Sequence, residues 1–309
     1  SLEHNSEKWT KYFLEEQEIQ LLRKIKMDKR IKLSSDIMDV DVGIVTGRNE
    51  FFMINEETAA KWKIKPYTQK VVGRSNHFKG IVFKDEDFNT NADASIEGYL
   101  FLPPAKDFDA LPKACREYIK FGEEQDFHTG YKCRIRKNWY ITPSLWTPDA
   151  FVLRQVGDYP KVIINKTEAC STDTIHRVRF KRKVKPELLA LSFLNSLTFA
   201  FSEITGRSYG GGVLTFEPTE IEELPLPLLE NSTIDFKKID NLIRQRRIEE
   251  VLDIVDEELF VFDNVIFPFA WARICATSGD IVSDDNDEKF GVTVDVKVEL
   301  LLLIDDDKS

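Results

Sequence analysis

Two polar turns carry side chains suited to reading base edges. Thr46-Gly47-Arg48-Asn49 sets an arginine beside an asparagine, and Gly73-Arg74-Ser75-Asn76 repeats the pair with one residue between them. A guanidinium can pair bidentately with guanine, and a carboxamide with adenine, in the major groove of duplex DNA. Asparagine also simply tolerates turn backbone, so that plainer reading stands beside the functional one. Lys132, Arg134 and Arg136 alternate along one segment, and Arg177, Arg179, Lys181 and Lys183 repeat the spacing along another. If both segments are extended, each presents a cationic row on one face, able to follow phosphates. Trp139, Tyr140 and Trp146 lie between the two rows and suit a core as well as a stacking surface. Tyr209 precedes Gly210, Gly211 and Gly212. Such a stretch either brings backbone N–H groups close to a phosphate or serves as a flexible connector.

Other chemistries find weaker support. The glycine triplet does not match G-x-G-x-x-G, no helical pattern follows it, and the Lys-Ser/Thr ending of a P-loop is missing. None of Cys115, Cys133, Cys170 and Cys275 forms a C-x-x-C pair, which argues against a zinc ribbon and against a compact disulfide framework. They read as reduced thiols of a cytoplasmic protein. Pro148-Asp149 and Asp235-Phe236-Lys237 resemble the P-D…D-x-K pattern of a Mg²⁺ nuclease, although patterns this short arise often by chance. A nuclease domain is therefore the alternative enzymatic reading, and a protein-interaction scaffold a third.

Charge placement says more than total charge. The chain of 309 residues has a formal net charge of −10, yet residues 130–185 hold thirteen Lys and Arg against four Asp and Glu. A local positive field can steer a polyanion to an acidic protein, and a solvated face with ordinary ion pairs gives the same count. No apolar run is long enough to span a bilayer, and the first residues lack the pattern of a secretory signal. Ser1-Leu2, without an initiator Met, reads as the junction of an excised fragment.

Patterning predicts an α+β fold: mixed or antiparallel sheets with flanking helices and no regular βαβ alternation. Helices are expected over residues 6–27, 112–122, 186–205 and 235–259. A hairpin is expected over residues 40–54, with Thr46–Asn49 at its tip. Further strands are expected at residues 71–72, 81–83, 99–102, 131–136, 150–155, 161–165, 174–180 and 213–216. Leu224-Pro225-Leu226-Pro227 is expected to stop any regular element, and a strand is possible within the tail, residues 261–309.

The succession DVGIVTGRNEFF, YKCRIRKNWY, PDAFVLRQ, TDTIHRVRF and GRSYGGGVLTFEPTEIEELPLP resembles the C-terminal part of gamma-class N6-adenine DNA methyltransferases of type II and type IIG restriction–modification systems. The resemblance implies a target-recognition domain over residues 36–230. It is preceded by a helix and linker at 1–35 and followed by a helix at 231–260 and a tail, 261–309. The implied partners are double-stranded DNA and a Rossmann-like catalytic domain of the parent enzyme, which uses S-adenosylmethionine. The family's Asn/Asp-Pro-Pro-Tyr/Phe signature is absent, since the only Pro-Pro here lies in Leu102-Pro103-Pro104-Ala105, and no F-x-G-x-G loop is present. No cofactor is therefore expected in this chain itself. Within this reading, Arg48, Asn49, Arg74 and Asn76 are the candidates for base contact. Lys132, Arg134, Arg136, Arg177, Arg179, Tyr209 and the Gly210–Gly212 backbone are the candidates for DNA backbone contact.

Overall fold

Consecutive Phe51 and Phe52 cannot both be buried on one face of a strand, because alternate residues point to opposite sides. In the computed structural model the chain solves this with a single helical turn, Asn49–Phe52, followed by the strand Met53–Ile54. The hairpin expected over residues 40–54 is not formed. The structure describes residues 16–93, 98–143, 145–181, 185–209, 213–262, 265–266, 272–275 and 297–300. The chain is α+β, as patterning indicated, and divides into two compact units that interleave along the sequence. One comprises residues 41–152 and 163–179; the other comprises residues 1–40, 153–162 and 180–309.

In the first unit a four-stranded sheet runs in the order Cys170–Ser171, Thr68–Val72, Tyr99–Phe101, Met53–Ile54. The first pair is parallel and the others antiparallel. The helix Lys113–Glu124 covers this core with Cys115, Tyr118, Ile119 and Gly122, the spacing of one helix face. It was expected to end at Gly122, but that glycine is a packing residue rather than a stop. A Cβ there would lie 2.5 Å from Phe51 Cε2 and 2.8 Å from Trp139 Cη2. Phe51 stacks on Tyr118 at 4.8 Å between ring centroids and meets Phe101 edge-on at 5.7 Å. Beside this core, Ile175–Phe180, Ala150–Leu153, Val162–Asn165 and Val82–Phe83 are successive neighbours in a second sheet.

The other unit is richer in helices. The helix expected over residues 186–205 is two, Pro186–Phe193 and Ser196–Thr205, bent by 68°. Asn195 causes the break: its side chain accepts from Thr198 N at 2.8 Å and caps a new helix. The helix expected over residues 235–259 is likewise two, Phe236–Arg244 and Ile248–Phe260, with Arg246 left-handed (φ 60°) between them. Pro225–Pro227 is a strand after all, pairing antiparallel with Ile31–Leu33 in a two-stranded sheet whose edge tolerates proline. Arg207–Tyr209, Val213–Thr215 and Gln155–Val156 form a three-stranded antiparallel sheet. The tail contains the strand Lys297–Leu300, paired with Ala272–Cys275. Among the described residues no single helix is long and apolar enough to cross a membrane.

Candidate nucleic-acid interface

The segment that carries Arg48 and Asn49 is anchored at both ends by arginines expected to touch DNA. At its start, Arg177 donates from Nε to Val42 O (3.0 Å) and pairs through Nη2 with Asp41 (2.8 Å). Arg177 is only 2% exposed, and burial pulls its guanidinium below its ordinary pKa, partly offset by Asp41. At the other end, Arg136 donates to Thr46 O (2.8 Å) and Val45 O (2.7 Å). Between these anchors the chain lies tight on its neighbours. A Cβ at Gly43 would sit 1.9 Å from Thr172 O, and Ile44 N donates to Ser171 O at 2.7 Å. Arg136 and Arg177 are thus both bonded to the main chain of this segment, where the sequence suggested free phosphate contacts.

Residues 131–136 are not a strand. Gly130 O accepts from Cys133 N (3.0 Å) and Arg134 N (2.9 Å), closing the helical turn Tyr131–Arg134. Buried Cys133 faces inward, while Tyr131, Lys132, Arg134 and Ile135 remain exposed. This turn packs directly on the Thr46–Asn49 turn. Gly47 has φ +88°, and a Cβ there would meet Lys132 Cβ at 2.7 Å, so only glycine fits both the backbone and the contact. Gly130 plays the reciprocal part, since its Cβ would lie 2.8 Å from Arg48 Nε.

The structure thus brings Arg48, Asn49, Lys132 and Arg134 onto two abutting turns. Arg48 is half-buried, with its Nε enclosed and lacking a hydrogen-bond partner among the described residues. Asn49 is exposed and accepts from Thr46 Oγ1 at 2.5 Å. Among the described residues, neither Lys132 nor Arg134 forms an ion pair, whereas Lys65, Lys70 and Lys137 each face a carboxylate. Arg74, which precedes the 3₁₀ turn Ser75–His77, and Asn76 within it are exposed; Gly73 lies before them, and a Cβ there would lie 3.4 Å from Thr172 Oγ1. Both polar turns therefore depart from the neighbourhood of Thr172. His77, buried in this turn, is held below the usual imidazole pKa by burial first and then by Arg74 and Lys79. Arg179 is exposed and shares the Trp146 ring with Arg177, each guanidinium 4.5 Å from its centroid. The two positions alternate along the strand Ile175–Phe180, with Arg177 buried and Arg179 exposed.

The remaining candidates lie elsewhere. Tyr209 ends a strand of the other unit, and Gly210–Gly212 fall outside the described residues, as does Lys183. Lys181 pairs with Asp39 at 2.7 Å. The charged residues of GRSYGGGVLTFEPTEIEELPLP act as braces. Arg207 donates to buried Glu220 at 2.8 Å, Arg154 pairs with Glu217 at 2.9 Å, and Glu222 accepts from Val40 N at 2.8 Å. Trp139 and Tyr140 belong to the aromatic core, with Trp139 4.7 Å from Phe51 and Tyr140 only 4% exposed. Asp235 caps its own helix by accepting from Lys237 N at 2.9 Å, and the described residues contain no cluster of three His, Cys, Asp or Glu able to hold a metal. The nuclease pattern thus gains no supporting geometry. Sequence reading passed over Val45, Tyr131 and Ile135, which are exposed on the same two turns. Tyr131 and Ile135 show their one-face spacing only when the segment is taken as helical.

A family model, the C-terminal domain of the type II methyltransferase M.Eco57I, matches residues 6–260. No curated protein matches the chain. Among solved structures, the type IIG restriction endonuclease BpuSI is similar with a TM-score of 0.45 and 13% identity, covering 79% of this chain and 31% of that one. The chain thus spans less than a third of that enzyme's length.

Proposed function

The chain belongs to the family of the C-terminal domain of the type II methyltransferase M.Eco57I, and on that premise we propose that it recognises double-stranded DNA for an adenine-N6 methyltransferase of a restriction–modification system. The observation that carries this reading is the pair of abutting turns, which sets Arg48 and Asn49 beside Lys132 and Arg134, two cations without carboxylate partners among the described residues. Lys132 and Arg134 neutralise phosphates, and Arg179 on its Trp146 platform does the same. Arg48 and Asn49 read base edges, with Arg74 and Asn76 on the neighbouring turn.

Methyl transfer then belongs to a partner domain of the parent enzyme, which binds S-adenosylmethionine and the everted adenine. The residues described here do not suit that task. The one Pro-Pro pair has Leu102 before it, Pro103 is buried, and the following Lys106 carbonyl accepts from Tyr140 Oη at 3.1 Å.

The test is duplex binding by the intact chain across a salt series. The expected log–log slope is roughly −0.9 per phosphate contacted. Lys132→Glu with Arg134→Glu should weaken binding to all sequences alike and reduce the slope by about 2. Arg48→Ala or Asn49→Ala should instead change which sequence is preferred, by about 1–3 kcal/mol. Affinity that does not vary with salt would refute the reading.

A further inference from the structure

Six large hydrophobic side chains are exposed among the described residues: Met27, Leu33, Val45, Tyr131, Ile135 and Leu145. Three of them, Val45, Tyr131 and Ile135, lie on the same two abutting turns that carry the unpaired cations. Tyr131 is 66% and Ile135 61% exposed, and Ile135 N donates to Tyr131 O at 3.3 Å, so the two side chains stand one helical turn apart on the same face. Buried Cys133 roots the turn between them, and burial raises its thiol pKa despite the nearby arginines. Gly130 and Gly47 allow no room behind it. The turn is therefore closely packed underneath and exposes an aromatic and a branched aliphatic side chain, with Lys132 and Arg134 interleaved and Arg48 alongside.

An apolar tip set among unpaired cations fits a ligand that is apolar between two charged rails. Stacked base pairs flanked by phosphate backbones have that character. A protein partner would match the apolar tip but would need carboxylates placed around it. We propose that Tyr131 and Ile135 form a wedge that enters a base step of bound duplex DNA and unstacks it. The proposal rests on the DNA-binding reading above and extends it from contact to deformation. Side chains of this kind, inserted between base steps, kink the duplex at the cost of stacking. A duplex already opened at one step avoids that cost, so the wedge favours it.

The experiment compares binding of two labelled duplexes by the intact chain, one fully paired and one carrying a single internal mismatch. Wild-type protein is expected to bind the mismatched duplex about tenfold more tightly. Tyr131→Ala with Ile135→Ser should bind both duplexes equally while retaining the wild-type salt slope, and both changes are at exposed positions that leave the core intact. 2-Aminopurine placed beside the mismatch should brighten on binding wild-type protein and not on binding the variant. Equal binding of the two duplexes by wild type, or a preference kept by the variant, overturns the wedge while leaving DNA recognition standing. Absence of salt-dependent binding to either duplex removes both.

Discussion

A positive side chain that looks free in a sequence can be fully engaged in the fold, and Arg136 and Arg177 show how. Each donates to main-chain carbonyls of residues 42–46, and buried Arg177 also pairs with exposed Asp41. Guanidinium groups suit this work because their fixed fork of donors can hold two carbonyls at once. They hold the turn that presents Arg48 and Asn49. Arg136→Ala removes two hydrogen bonds from a partly buried site and should cost about 2 kcal/mol of stability. Arg177→Ala empties a buried site and removes the bond to Val42 O, and should cost more, about 3 kcal/mol. Urea unfolding measures both. Amide hydrogen exchange at Gly47, Arg48 and Asn49 should accelerate in Arg136→Ala under native conditions, and unchanged protection there would show that the arginine does not hold the turn.

At the scale of elements, backbone proximity decides what the turns can be. Gly43→Ala drives a methyl group into the carbonyls of Thr172 and Ile175, backbone atoms that cannot swing aside. It should destabilise the protein by about 3 kcal/mol, at the upper end for overpacking. Gly157→Ala is the control: nothing lies within 4 Å of its Cβ position, so its effect should stay within about 0.5 kcal/mol. Paired thermal melts distinguish them, and equal stability would mean the close approach at Gly43 is not real. The same proximity explains what the sequence could and could not reveal. The strands Ile175–Phe180 and Val162–Asn165 were legible from their β-branched and aromatic residues, although they are buried on both faces, and the helix Lys113–Glu124 from its one-face spacing. Residues 131–136 were not, because alternating Lys and Arg mimic a strand while the apolar residue that faces inward is the single Cys133. Asn195 broke a long apolar helix by capping a second one, a choice that depends on Thr198 and on the packing of both halves. The cationic cluster itself was legible by residue type, but its division into exposed Lys132 and Arg134 and inward Arg136 and Arg177 depended on contacts distant in sequence.

Across the whole molecule, charge is segregated, and so is the response to pH. With a net charge of −10, the proposed DNA binding depends on where cations are displayed rather than on their number. The buried thiols Cys115 and Cys170 are pushed up to about 11 and about 12 by burial and stay protonated across the usual pH range. Asp256 is different. It is 2% exposed, accepts from Ser196 N at 3.0 Å and from Ser196 Oγ, and burial raises its pKa to about 6, the hydrogen bonds opposing this in part. In the unfolded chain the group returns to an ordinary carboxyl value of 3.8. Between those values the folded state binds the extra proton, so this group's contribution to stability grows as pH falls from 6 towards 3.8 and is lost as pH rises through 6. Asp256→Asn keeps an acceptor for Ser196 N and a donor for Ser196 Oγ but carries no charge. The variant should therefore gain relative to wild type on going from acidic to neutral pH, by about 3 kcal/mol over the full window. Urea midpoints of the two proteins, measured as a pH series, give this difference directly. Other carboxylates, such as Asp28 beside Arg30 with its pKa lowered to about 2, titrate equally in both proteins and drop out of the comparison. Parallel pH profiles would show that Asp256 is not desolvated in solution and that the junction between Asn195 and the helix Ile248–Phe260 is open to water.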